Sequence, residues 1–174
     1  MKQLDPIGDF EDLYAQFGKP LYGFCFRLMG NRQEAEDLMQ DVFVAAFRGK
    51  EKYRGDSSIR TWLWRIAVYS SRERHRKLRR FRWFRKEQQV ALAAIDSRLA
   101  LEEAIGRLPE RLKAAFVLTK LEEMTIAEAA LILSITEGTV KYHVFEAMNH
   151  LRTALGDHEI AESVSIEEIS TYAV

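Results

Sequence analysis

The sequence predicts an all-α protein of two small helical domains joined by a linker, the second containing a helix-turn-helix. Three observations predict it. Across 174 residues there are 9 glycines and 3 prolines, and apolar residues recur at helical spacing with no sustained period-two alternation. Near residues 84–95 the composition turns from strongly basic to acidic and leucine-rich, which marks a boundary between segments each able to bury a small core. Beyond that boundary two helical patterns are separated by the short turn "SIT".

The first helix is expected from about Asp9 to Met29, with Phe10, Leu13, Tyr14, Phe17, Leu21, Phe24 and Leu28 on its buried stripe. Pro20 is expected to bend or break it, since proline removes a donor and clashes with the preceding turn. The single cysteine, Cys25, lies in "LYGFCFRL", where it excludes an internal disulfide and suits a buried thiol. A second helix opens at Asn31 with Glu34 three residues on, a capping-box-like pair, and closes at Gly49. Ala35, Leu38, Val42 and Ala46 form its core face. The other side carries Glu36, Asp37, Gln40 and Asp41, either a solvated face or a docking surface for a basic partner. Asp37 and Asp41 are expected to be exposed, so that reversing their charges leaves the fold intact.

After the loop "KEKYRGDSS", Ser58 is expected to cap a third helix with Ile59, Trp62, Leu63, Ile66 and Ala67 buried. Trp64, Val68 and Tyr69 then point elsewhere among arginines, and Trp64 and Tyr69 are candidates for contact with bases, with a protein partner or with a neighbouring helix. Two tryptophans and a tyrosine ahead of "RERHRKLRRFRWFRK" raise the prospect of bases stacked on aromatic rings and phosphates held by arginine. Charge supports it: residues 48–86 hold 15 Lys/Arg against 3 Asp/Glu, while the remainder holds 11 against 23. Such segregation in a chain of zero net charge is the footprint of a polyanion-binding surface, whereas a solvated face mixes its signs.

In the second half, "SRLALEEAIGRL" is a short helix and Pro109 suits the first turn of "PERLKAAFVLTKLEE". Thr125 and Glu128 form a capping box ahead of "TIAEAALIL", and Thr136 caps "EGTVKYHVFEAMNHLRTAL". Ala129 and Ala130 permit close helix packing. In a helix-turn-helix the second helix enters the major groove by its first residues. Here these are Glu137, Gly138, Thr139, Lys141, Tyr142 and His143, with Val140, Val144, Ala147 and Leu151 facing the core. The last segment, "GDHEIAESVSIEEISTYAV", has five acids and no Lys or Arg. It is either a loosely held tail or a short helix, capped by Ser165 and Glu168, that docks on a partner or on the basic block.

The stretches "EAEDLMQDVFVAAF", "YRGDSSIRTWLWRIA", "LPERLKAAFVLTKLEEMTIAEAALIL" and "EGTVKYHV", in this order, resemble the extracytoplasmic-function sigma factors, small two-domain initiation subunits of bacterial RNA polymerase. The resemblance spans roughly Phe10 to Leu155. It implies a region-two-like domain over 1–83, a linker over 84–95, a region-four-like helix-turn-helix domain over 96–155 and an acidic tail over 156–174. It also implies that Asp37, Gln40 and Asp41 bind the polymerase clamp, with Asn31 only a cap. By the same likeness the stretch from Tyr53 reads the minus-ten element as single-stranded DNA with a base flipped from the stack. Arg54, Gly55, Asp56 and Ser57 would shape the pocket, Tyr69 would lie nearby, and Arg60, Arg65, Arg72 and Arg76 would hold the strand. Thr139, Lys141, Tyr142 and His143 would bind the minus-thirty-five element. This helix departs from the family in charge, with Lys141 and Arg152 against Glu137 and Glu146, so its attraction for phosphates is expected to be weak.

Core polymerase, promoter DNA and an anti-sigma factor are the partners so implied, with no cofactor and no metal. The N-terminus is interrupted by acids and does not read as a signal peptide, and no stretch reaches membrane-spanning length, so a cytoplasmic location is expected. His75, His143, His150 and His158 show no metal-ligand spacing, and no nucleophile motif or phosphate loop is identifiable, so an enzyme is not expected. Two alternatives stay open. A helix-turn-helix regulator acting without polymerase would leave the basic aromatic segment unused, and an adaptor or anti-sigma-type protein would leave the charge block unexplained.

Overall fold

The computed structural model describes residues 10–82 and 97–155. The expected linker at 84–95, the acidic tail at 156–174 and its Ser165/Glu168 cap lie outside the described residues. Everything described is helix, turn or loop, as the spacing of apolar residues predicts. The helices are α1 (Phe10–Met29), α2 (Arg32–Gly49), α3 (Ile59–Arg82), α4 (Ser97–Arg107), α5 (Glu110–Phe116), α6 (Ile126–Leu133) and α7 (Glu137–Leu155). Internal packing divides the chain into two compact units, Met1–Arg74 and His75–Val174. The division falls within α3.

In the first unit α1 packs along α2. Leu13, Leu21, Phe24, Cys25 and Leu28 of α1 meet Ala35, Leu38, Val42, Phe43 and Ala46 of α2, all buried. Of the expected stripe of α1, Leu13, Leu21, Phe24 and Leu28 are buried and Phe17 is half-buried, but Phe10 and Tyr14 stay 40% and 47% exposed and form a ring cluster with Phe43 and Phe47. Pro20 does not end the helix. It lies on the exposed side, where water can serve the carbonyl that loses its donor, so the cost of an interior proline is reduced. Asn31 caps α2 by accepting from the Glu34 N–H at 3.1 Å, but the Glu34 carboxylate goes to Arg74 instead of back to the cap. At the other end Gly49 has φ −98° and the chain tightens into a 3₁₀ turn over Lys50–Lys52, not a left-handed glycine cap.

Helix α3 buries a different face from the one expected. Leu63, Trp64, Ala67 and Val68 are the buried apolar residues, with Thr61 and Ser71 beside them, while Ile59, Trp62 and Ile66 are half-buried. The Trp64 ring stacks on Phe24 with centroids 5.5 Å apart and an interplanar angle of 22°. Trp62 instead closes on Tyr53 at 5.1 Å, at the foot of the preceding loop. A segment apolar on nearly every side is turned by its best partner, and the indole that reaches Phe24 buries the largest area.

In the second unit α7 is the hub, packed by α4, α5 and α6. Val140, Val144, Ala147 and Leu151 are buried as expected, and Met148 joins them. Pro109 is the N-cap of α5, one position ahead of its first turn, and α5 runs on as a π-helical segment over Val117–Leu121. Lys113 is buried, and its ammonium donates to the Gly106 carbonyl at 2.6 Å. Burial pushes its pKa below the usual lysine range, with nearby Glu110 opposing the shift.

Both the Trp64 stack and the buried Lys113 have measurable effects on stability. Trp64→Ala should cost about 3–5 kcal/mol, as large-to-small changes at buried aromatics do, and Trp62→Ala clearly less; urea denaturation of both variants checks the order. For Lys113 the native state releases its proton before the unfolded chain does. As pH rises from the lowered folded value toward 10.5, the unfolded chain therefore binds more protons and stability increases. Denaturation of the parent and of Lys113→Met across this window should show the difference moving in favour of the parent as pH rises.

Candidate nucleic-acid interface and acidic docking face

The loop between α2 and α3 is fixed at both ends. Tyr53 leaves the 3₁₀ turn with its N–H on the Lys50 carbonyl at 3.1 Å, and its hydroxyl donates across the loop to the Ser57 carbonyl. Ser58 Oγ accepts from the Thr61 N–H at 3.0 Å and lies 2.8 Å from the Thr61 hydroxyl, capping α3. Between these ties Gly55 takes φ +77°, with open space where a Cβ would stand, so its requirement is conformational. Arg54, Gly55 and Asp56 are exposed and Ser57 is half-buried.

The rotation of α3 set by Trp64 decides which of its side chains face outward. At about 100° per residue, Arg65, Tyr69, Arg72 and Arg76 fall in one sector of the helix surface. All four are exposed, Tyr69 most clearly at 68%. Arg60 is half-buried, and its guanidinium lies over the Trp64 ring at 5.2 Å. Trp64 is wholly buried against Phe24, so of the contacts open to it, with bases, a partner or a neighbouring helix, it makes the last, and Tyr69 is the exposed ring of this face. The Tyr53–Trp62 pair under the loop is a feature that sequence reasoning misses, although an aromatic two residues before a glycine-containing turn is a readable sign of it.

The acidic face of α2 has an occupant from within the unit. Arg74 of α3 donates through Nε and Nη2 to Asp41 Oδ2 at 3.0 and 2.8 Å and through Nη1 to Glu34 at 2.9 Å. Asp37 lies 3.6 Å from Nη1 and also accepts from the Gln33 amide at 3.3 Å. Burial disfavours the Arg74 charge, but bonds and attraction from Asp41 and Glu34 outweigh it and hold the guanidinium above its ordinary pKa. Glu36 pairs with Arg32 along α2 at 3.1 Å, and Gln40 is exposed. Asp41 is exposed as expected, while Asp37 is half-buried, and both are paired. Reversing both charges would set two cations against Arg74.

In the second unit the Thr125–Glu128 capping box is complete. Ser134 ends α6 in the left-handed conformation at φ 56°, and Thr136 accepts from the Thr139 N–H at 3.2 Å to start α7. Thr139, Lys141 and His143 are half-buried. Tyr142 protrudes, 59% exposed, with its ring 6.0 Å from that of His143. Leu131 and Phe145 are exposed too, at 57% and 40%, so the two helices of this motif present apolar side chains to solvent alongside Lys141.

Comparison with known proteins accounts for both halves. Residues 13–81 match the model of Sigma-70 region 2, and residues 98–151 match that of Sigma-70, region 4. The ECF RNA polymerase sigma factor SigW of Bacillus subtilis is 26% identical over 172 residues, covering 88% of this chain and 90% of that protein. SigM of Mycobacterium tuberculosis, another ECF RNA polymerase sigma factor, is 28% identical over 151 residues, covering 84% and 77%. Among solved structures, the sigma factor RpoE in complex with the anti-sigma factor NepR from Bartonella quintana aligns with a TM-score of 0.69 at 24% identity, over 86% of this chain and 98% of that one. CnrH in complex with the cytosolic domain of CnrY aligns at 0.66 and 24%, over 88% and 94%. These two likenesses are of fold.

The doubly tied loop has a measurable signature. Tyr53→Phe removes one hydrogen bond and should lower stability by about 1 kcal/mol while loosening residues 54–57. Trypsin should then cleave after exposed Arg54 faster than in the parent, read by mass spectrometry of a limited digest.

Proposed function

We infer the division of labour among these residues from one premise: the chain belongs to the extracytoplasmic-function sigma factors of the sigma-70 family, and it binds core RNA polymerase to direct promoter-specific transcription initiation. Residues 1–83 act as the region-two domain and 96–155 as the region-four domain, with 84–95 between them and an acidic tail over 156–174. Bond making in RNA belongs to polymerase, and this chain contributes recognition and strand opening without an enzymatic activity of its own. No described helix is long and apolar enough to cross a membrane, and the working site is the cytoplasm.

The observation that carries the reading is the exposed tyrosine among arginines on the helix that follows a fixed loop. Arg54, Gly55, Asp56 and Ser57 form the rim of a pocket for one base turned out of the minus-ten element. Tyr69 offers the stacking surface, and Arg65, Arg72 and Arg76 follow the phosphates, with Arg60 at the entrance. Unstacking a base costs a few kcal/mol, which ring stacking and edge hydrogen bonds offset. Asp37, Gln40 and Asp41 face the polymerase clamp. Thr139, Lys141, Tyr142 and His143 meet the minus-thirty-five element. With two bases and two acids from Thr136 to Leu155, α7 relies more on Tyr142 and groove contacts than on phosphate attraction. A partner of the anti-sigma class, like that seen with the Bartonella quintana protein, restrains the chain.

Promoter-specific run-off transcription with core polymerase tests the function as a whole. Within it, Tyr69→Ala or Arg65→Ala should reduce open-complex formation by about tenfold or more, since stacking is worth roughly 1–3 kcal/mol per base, with polymerase recruitment unchanged. Permanganate footprinting reports the opening, and equal opening by variants and parent would return these side chains to a role outside strand capture.

A further inference from the structure

The outward face of α3 and the acidic face of α2 are joined by one side chain. Arg74 and Arg65 stand about 180° apart on α3 at 100° per residue, so Arg74 is turned away from the DNA-facing sector and toward α2. All three of its guanidinium nitrogens are engaged, and they meet carboxylates spread over two turns of α2, from Glu34 to Asp41.

Exposure is graded through this cluster. The Arg74 side chain is 22% exposed and Glu34 28%, while Asp37 is 40% and Asp41 56%. A cation arriving from outside therefore meets the aspartates first, with the guanidinium lying beneath them. One guanidinium against Glu34, Asp37 and Asp41 leaves the cluster negative, so it still attracts a basic partner. Without Arg74 the same carboxylates, at helical spacings of three and four, repel one another. Nε and Nη2 both reach Asp41 Oδ2 while Nη1 reaches Glu34, so one planar guanidinium holds both carboxylates at once, which a flexible ammonium would not do.

We propose that Arg74 is the positioning residue of the polymerase-docking face: it holds Asp37 and Asp41 in the arrangement that receives a basic surface, and it ties that face to the helix that meets the promoter. The proposal rests on the reading of Asp37 and Asp41 as docking residues. Arg74 acts through them and does not itself touch polymerase.

The test measures binding of the full chain to core polymerase for the parent, Arg74→Ala, Arg74→Lys, Asp41→Asn and the Arg74→Ala/Asp41→Asn pair, with urea denaturation of each as a check on folding. Arg74→Gln replaces the alanine variant if that one does not fold. Loss of Arg74 should weaken binding about threefold or more, the range in which residues of one network couple. Arg74→Lys should not restore it, and Asp41→Asn should add little once Arg74 is gone. A purely structural contribution would instead track the denaturation midpoint and add to the Asp41 effect. Equal or tighter binding by a folded Arg74 variant, or full additivity with Asp41→Asn, overturns the proposal while the docking reading stands. If Asp41→Asn and Asp37→Asn both bind as the parent does, the docking reading fails and the proposal with it.

Discussion

The rotation of α3 about its own axis is the constraint that sets the first unit's surface, and the Trp64–Phe24 stack fixes it. With Trp64, Ala67, Val68 and Ser71 turned inward, the helical repeat sends Arg65, Tyr69, Arg72 and Arg76 to one flank and Arg74 to the other. Had Trp62 been the anchor, about 200° away around the helix, the whole basic series would have turned as a unit to another flank. A buried indole thus decides which arginines face out and which one faces a neighbouring helix.

Local chemistry was legible in the sequence where it is local in space. Asn31, Ser58, Thr125 and Thr136 each cap a helix as their residue types and spacing indicate, because a cap involves a partner three residues away. The core of α2 and the buried face of α7 match a clean apolar period. The face of α3 was not legible, since Trp62, Trp64, Ile66 and Val68 leave almost no polar side and the choice lies with Phe24, 40 residues earlier in the chain. Arg74 was hidden for a related reason. In "RERHRKLRR" every arginine looks alike, and only the packing of α3 near α2 shows that Arg74 meets Glu34 and Asp41.

The chain's zero net charge therefore has an internal structure. Part of the acid on α2 is matched by Arg74, and Arg65, Arg72 and Arg76 stand at the surface of α3. The helix-turn-helix carries little net charge on α7 and presents Tyr142, Leu131 and Phe145 instead. In a reading that gives both units a DNA contact, the salt dependence of binding comes mainly from the first and shape matching mainly from the second.

The tied loop after α2 bears on timing. Fixing the backbone of a residue costs on the order of 1–2 kcal/mol in conformational entropy, and here Tyr53 and Ser58 meet much of that cost for residues 54–57 during folding. If this loop receives the minus-ten strand, as proposed, the strand meets a rim already assembled, and the waiting step is set by how often the duplex breathes and not by a search among loop shapes. In that reading the protein traps transient openings that thermal motion in DNA produces by itself.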